Sequence, residues 1–298
     1  MFFDNWDIDI YYKEKMWLID NISDIEVIEE GPVRSILRIE RRFLNSTIVQ
    51  NINLYNDIPR IDFDSYIDWK EFDIVVKTLF PLDINAKEAT YEIQYGNITR
   101  STHENTSWDL AQFESCAHKW VDLSEGDFGV SMLNDCKYGY DIKNGNMRLT
   151  MLKCGTEPNP VADQEEHRFT YSIYVHEGTW KEAKTTQMAY SLNTKLFTKV
   201  ESSHSGDLSN KLSLVNVDKN NVMIEIIKKA EDSDDIIIRL YEYENKRSNC
   251  TLEFSKGIEY VYESDMMEKN ILKLDSEEDR VSFTIKPYEI KTFKVKLV

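Results

Sequence analysis

Residues 61–69, IDFDSYIDW, decide the fold. Ile61, Phe63, Ile67 and Trp69 alternate with Asp62, Asp64 and Asp68, the period-two pattern of a strand with one buried and one solvated face. The apolar set is expected to face a core and the three aspartates to face water. Working outward, Asp57-Ile58-Pro59-Arg60 is a turn, and residues 48–55 repeat the alternation. Residues 33–43, VRSILRIERRF, place Val33, Leu37, Ile39 and Phe43 on one face, with most of the charge opposite. Residues 75–82, VVKTLFPL, give another strand with Pro81 near its end, where a missing N–H costs least. Upstream, the first thirty residues, WDIDIYYKEK and then an acidic, amphipathic-looking segment over 21–30, read as an entry strand and a connection that ends at the Gly31-Pro32 turn.

The same texture continues downstream. Strands are expected at 117–121, 128–133, 147–152 and 167–175, with a long polar loop over 154–163, CGTEPNPVAD. Residues 179–193 have weak helical spacing and leave a short helix and an extended return both open. The Ser/Gly-rich decade 201–210, ESSHSGDLSN, reads as a linker. Short strands beyond it, at 222–227, 236–243, 251–254, 281–285 and 292–298, are spaced by charged turns like a small β-sandwich. The expectation is an all-β chain: a large multi-stranded sandwich over 1–200 and a small β domain over 211–298.

Composition narrows the function. Thirty-six basic against 53 acidic side chains give a formal charge of −17, which argues against a phosphate backbone or an anionic membrane as partner. A neutral partner such as a sugar suits the balance. Cys116, Cys136, Cys154 and Cys250 show no CxxC spacing and read as reduced thiols. No 18-residue apolar run occurs, and the opening MFFDNWDIDI is acidic where a secretory signal is positively charged. The cytoplasm is the expected compartment, so the five Asn-x-Ser/Thr sequons, at Asn21, Asn45, Asn97, Asn105 and Asn249, carry little weight.

The densest chemistry lies between Tyr91 and Tyr140. The strand Tyr91, Ile93, Tyr95 gives way at Gly96 to an aperiodic run holding Arg100, His103, Asn105, Trp108 and Asp109, followed by His118, Lys119, Trp120 and Asp122. Flat aromatic faces beside planar polar groups are what sugar recognition needs. For each of these residues the alternative is structural: the tryptophans as core anchors and the polar groups as loop braces. His103 and His118 near Asp109 and Asp122 also suit zinc, but the spacing matches no closed metal motif, and no metal ligand is assigned. No nucleophilic triad and no Gly-rich phosphate loop is found.

The order YEIQYG, R-x-T-H-x-N-T-S-W-D, F-E-x-C-x-H-K-W-x-D-L-S-E, G-V-x-x-L-N-D-x-K-Y-G-Y resembles glycoside hydrolase family 38, and more narrowly the C-terminal β-rich part of its cytosolic/vacuolar class of α-mannosidases. The resemblance extends from WDIDIYY (6–12) to PYEIKTFKV (287–295). It implies a galactose-mutarotase-like supersandwich followed by a small terminal β domain. It also implies that hydrolysis of α-mannosides with retention belongs to an N-terminal catalytic domain, which carries the aspartate nucleophile and zinc or another divalent metal. In that picture this chain holds no catalytic residue and no cofactor. Its partners are that domain and a mannose-containing oligosaccharide, with a homo-oligomer also open and neither nucleic acid nor membrane involved. Lys153, ending LTMLK, stands where the family carries an arginine turned toward substrate, and a point ammonium there forgoes bidentate recognition. Tyr138 and Tyr140 read as packing around Gly139. Two rivals remain, a free-standing carbohydrate-binding sandwich and a structural interaction module. Exposed tryptophans beside a groove would mark the first, and a broad bare apolar patch the second.

Overall fold

In the computed structural model, which describes residues 4–207 and 209–298, the alternating stretches become antiparallel strands. The chain divides into two compact units, Met1–Ile93 with Ile98–Phe197, and Gln94–Asn97 with Thr198–Val298. The sequence features at residues 1–3 and at Leu208 lie outside the described residues.

In chain order the first strands are β1 (Ile22–Glu30), β2 (Arg34–Phe43), β3 (Ser46–Tyr55), β4 (Arg60–Asp68), β5 (Val75–Pro81), β6 (Glu88–Ile93) and β7 (Gly96–Ser101). Helix α1 (Ser107–Ala111) precedes β8 (Ser115–Cys116), β9 (Trp120–Ser124), β10 (Phe128–Asn134), β11 (Gly139–Lys143), β12 (Asn146–Lys153), β13 (Glu166–Glu177) and helix α2 (Thr185–Asn193). They form a nine-stranded sheet, β1-β2-β3-β4-β13-β10-β9-β6-β7, and a four-stranded sheet, β5-β12-β11-β8. Between the two sheets lies the core, where Ile67, Val121, Met132, Tyr140, Ile142, Met147 and Leu149 are fully buried beside Trp69. Burying each such side chain contributes about 1.5–3 kcal/mol.

The opposite face of the large sheet is not solvated along its whole length. Helix α2 lies over β9 and β10, with Thr185 Oγ1 2.8 Å from Ser131 Oγ. Tyr174 donates to the Ala183 carbonyl at 2.8 Å. Residues 179–193 therefore resolve into a turn and a helix, whose buried side chains are Thr185, Thr186, Ala189 and Leu192.

This layer corrects the reading of Asp62. It does not face water: it is 4% exposed and grips Arg60 bidentately, Nε to Oδ1 at 2.7 Å and Nη2 to Oδ2 at 3.0 Å, while Ser172 donates to it at 2.6 Å. Arg60 reaches on to Ser191 Oγ (3.0 Å) and the Met188 carbonyl (3.3 Å) of α2. Asp64 is exposed, and Asp68 is partly so. Val33 is also corrected: it precedes β2 and is 72% exposed, and Ile36, on the face taken as polar, is buried instead. Of the first thirty residues, Ile10–Lys13 form a 3-10 turn rather than a strand, and it is the acidic segment that makes the strand, β1. The strand expected at 117–121 begins at Trp120, after the two-residue β8. Of the two tyrosines flanking Gly139, Tyr140 is fully buried and Tyr138 is 55% exposed.

The second unit contains β14 (Val215–Val217), β15 (Val222–Lys229), β16 (Ile236–Glu242), β17 (Ser248–Phe254), β18 (Ile258–Ser264), β19 (Asn270–Leu274), β20 (Ser276–Glu277), β21 (Arg280–Ile285) and β22 (Ile290–Leu297). Sheets β14-β17-β21-β20 and β15-β16-β22-β18-β19 enclose one core around Ile238, Leu252, Val261, Phe293 and Val295.

Candidate functional site

The aperiodic run seen in the sequence folds as a stiff projection from the first unit. At its base the Thr102 N–H donates to the Lys87 carbonyl (3.0 Å) and its hydroxyl to the Ala86 carbonyl (2.6 Å). Lys143 Nζ donates to the carbonyls of Ser101 (3.0 Å) and His103 (3.2 Å). T-S-W-D then starts α1 with a capping box: the Asp109 N–H donates to Thr106 Oγ1 at 3.1 Å, and the Thr106 N–H donates to Asp109 Oδ2 at 3.2 Å. The bonds from Thr106 hold the Asp109 carboxyl below its ordinary value. His103 Nδ1 lies 3.6 Å from Asp109 Oδ2 and accepts from the Asn105 N–H at 3.4 Å.

The far end is pinned by Glu114, which accepts from Lys77 Nζ (2.8 Å) and Thr150 Oγ1 (2.7 Å) on the second sheet. A Cβ at Gly139 would sit 1.6 Å from Glu114 Oε1, so only glycine admits this carboxylate. What the projection presents is Trp108, 83% exposed, with Leu110 and Asn105 exposed beside it.

The other expected residues scatter. Arg100 lies on β7 with its guanidinium 4.9 Å from the Tyr91 ring centre and Nη2 donating to the Cys116 carbonyl at 3.4 Å. Trp120 is buried against Trp180, ring centres 4.9 Å apart. Asp122 is buried beneath α2, where His176 Nε2 (2.8 Å) and Ser131 Oγ (2.7 Å) share its Oδ2. Lys153 Nζ donates to the Asp4 carbonyl at 2.6 Å and to that of Asp7, tying down the segment ahead of β1.

His118 lines a small polar depression of about 110 Å³ with Lys119, Asn134, Asp135, Tyr138 and Asn193. Its ring stands edge-on to Tyr138, centres 5.6 Å apart. Burial, then the Lys119 charge, keeps its pKa below the ordinary histidine value. Sequence reading had missed Glu114, His176 and Asn193, whose partners are distant in the chain. Gly139 two residues into Y-G-Y was the one local signal for Glu114.

Several buried carboxylates are paired, though Asp141 keeps one buried oxygen without a hydrogen-bond partner. Asp62 has Arg60, Asp122 has His176, Asp141 has Arg148 at 3.1 Å, and in the second unit Glu242 accepts from Asn221 Nδ2 and the N–H groups of Glu244 and Tyr288. Three of the four thiols are poorly placed for nucleophilic work: burial pushes Cys136 and Cys250 up to about 11 and Cys154 to about 12. Among the described residues no three His, Cys, Asp or Glu side chains come together to hold a metal ion. A cleft of about 670 Å³ in the second unit is lined by polar groups such as Asp218, Glu253 and Arg280, without an aromatic residue.

Residues 1–161 match the Glycosyl hydrolases family 38 C-terminal domain, and residues 221–293 match the Glycosyl hydrolases family 38 C-terminal beta sandwich domain. The chain belongs to glycoside hydrolase family 38. It is 35% identical over 305 aligned residues to alpha-mannosidase G of Dictyostelium discoideum, covering 99% of this chain and 28% of that protein. Against human alpha-mannosidase 2C1 the identity is 33%, over 97% of this chain and 28% of the relative. The family 38 chain thus spans little more than a quarter of the curated relatives it matches. The crystal structure of an alpha-mannosidase from Enterococcus faecalis V583 shares the fold, with a TM-score of 0.77 and 16% identity over 93% of this chain and 35% of that one. No described helix is long and apolar enough to cross a membrane.

Proposed function

We propose that this chain is the C-terminal, non-catalytic portion of an α-mannosidase that hydrolyses terminal α-mannosides with retention. The observation that carries the reading is coverage: 97–99% of the chain aligns to 28–29% of α-mannosidases, through two successive C-terminal family domains. The nucleophile and a divalent metal such as zinc then belong to the catalytic domain of the longer enzyme, which is this chain's partner. Trp108 and the His118 hollow are the places where this chain would meet that domain or its oligosaccharide. The four free thiols favour a reducing compartment, the cytoplasm.

The reading of an interaction module is favoured over a free-standing sugar-binding sandwich. Trp6 and Trp108 are highly exposed and Trp17 is half exposed, yet no aromatic lines either cleft except Tyr138. A bare apolar sheet face, by contrast, is present at β1 to β3. The test is release of nitrophenol from an aryl α-mannoside, with and without added zinc or cobalt. It compares the chain alone with a chimaera in which the chain replaces the matching part of the Dictyostelium enzyme. Turnover by the chimaera only is expected; turnover by the chain alone overturns the assignment.

A further inference from the structure

The apolar face that makes the core of the first unit continues past the second sheet. Cross-strand partners share a face, and the register runs Val27 to Leu37 to Ile52 to Phe63, with Ile25 opposite Ile39 and Leu54 opposite Ile61. Phe63 is covered, its ring stacking on Tyr171 (4.8 Å) and meeting Phe80 of β5 at 5.7 Å, and at the other end of these strands Ile48 and Ile39 are 4% and 7% exposed, with Phe43 against Trp69 and Trp17. By contrast, Ile25, Val27 and Leu54 are 57%, 53% and 48% exposed. The reverse side of β1 and β2 carries the charge, with Arg38 bridging Asp24 and Glu40. Around Ile25, Val27 and Leu54 these strands therefore leave part of their apolar side bare, the opposite of a sheet that turns its polar face to water.

The second sheet stops at an open edge on the same side. β5 ends its sheet, and among the described residues no strand pairs with its other edge. Its neighbours lie the other way, since Asn134 of β10 bonds the Tyr140 hydroxyl of β11. The unpaired edge of β5 thus borders the part of β3, β2 and β1 left exposed at Leu54, Val27 and Ile25.

We propose that the second sheet is completed by strands from the remainder of the longer enzyme, which add to the edge of β5 and lay an alternating apolar face on Ile25, Val27, Leu37, Ile52 and Leu54. Three strands span the gap at about 4.8 Å each. The occupant rests on the α-mannosidase reading above, because more than two thirds of each relative's length lies outside the match. A second copy suits the surface poorly: each carries −17, and β1 presents Asp24, Glu26, Glu29 and Glu30 along its edge.

Hydrogen–deuterium exchange on the same chimaera tests the surface, and the mannoside assay tests the activity, so the two can fail separately. Exchange at residues 75–81 and across β2 and β3 is expected to slow at least tenfold relative to the chain alone. Val27→Lys with Leu54→Lys should abolish that protection, whereas Glu26→Lys, on the charged side of β1, should not. Unchanged exchange in a folded chimaera, or protection indifferent to the double substitution, overturns the proposal. Should the chimaera not fold, the chain alone decides: it is expected to be monomeric in sedimentation and to bind anilinonaphthalene sulfonate, with binding lost in the double variant. A chain that dimerises through this face, or binds no dye, overturns it.

Discussion

One sheet is packed in two different ways along its width. From β4 through β9 it has the second sheet on one face and, over β9 and β10, α2 on the other, and Ile67, Met132, Ser131 and Ser172 are wholly buried. From β1 to β3 the same alternation continues, yet Ile25, Val27 and Leu54 stay about half exposed. Alternation in a strand specifies which residues share a face. Whether that face is covered depends on what else packs there.

The largest expected contrast is electrostatic. Asp62→Ala leaves the Arg60 guanidinium, 7% exposed, without its carboxylate, and should cost about 3–5 kcal/mol in chemical denaturation. Asp24→Ala breaks an ion pair whose aspartate side chain is 54% exposed and whose Arg38 keeps Glu40, so about 0–1 kcal/mol is expected. Equal costs would mean that burial does not separate the two ends of the sheet. Next comes the core contrast: Met132→Ala should cost about 2–5 kcal/mol, since the surroundings collapse only partly around the lost side chain. Val27→Ala should cost under about 1 kcal/mol, because half of that side chain already meets water. A large effect at Val27 in the chain alone would show the bare face to be covered, and would break the comparison.

The packed strands were legible because alternation is a local property, and Ile67 and Trp69 went inward as the pattern at 61–69 requires. Burial of Asp62 had a signal that alternation alone overrode: in a strand Arg60 and Asp62 share a face, so R-x-D makes a self-neutralising pair that can be covered. Helix α2 was illegible because it packs through Thr185, Thr186 and Ala189 and starts at Lys184 with no side-chain cap, so neither apolar period nor start signal marked it. In the projection, T-S-W-D fits the capping pattern, a local signal that the sugar-binding reading of Asp109 passed over. The carbonyls that hold Lys153 Nζ are 146 or more residues away and the His176 that holds Asp122 is 54 away, and no spacing rule reaches them.

The smallest effect belongs to His118, at the well-packed end beside Asn134. Its folded pKa lies below the ordinary value of 6.5 because burial disfavours the charged ring and Lys119 adds repulsion. The unfolded chain therefore takes up the proton first as pH falls. In that window it binds more protons than the folded chain, so this histidine's contribution is complete above about 6.5 and declines as pH drops toward the folded value. Ring-proton chemical shifts followed from pH 8 to 4 should give a midpoint below the ordinary one. Lys119→Met should move it only part of the way back, since burial is the larger cause. A midpoint at or above 6.5 would mean that the hollow lined by Tyr138 and Asn193 is open to water, and that this corner of the sheet resembles its bare end more than its packed one.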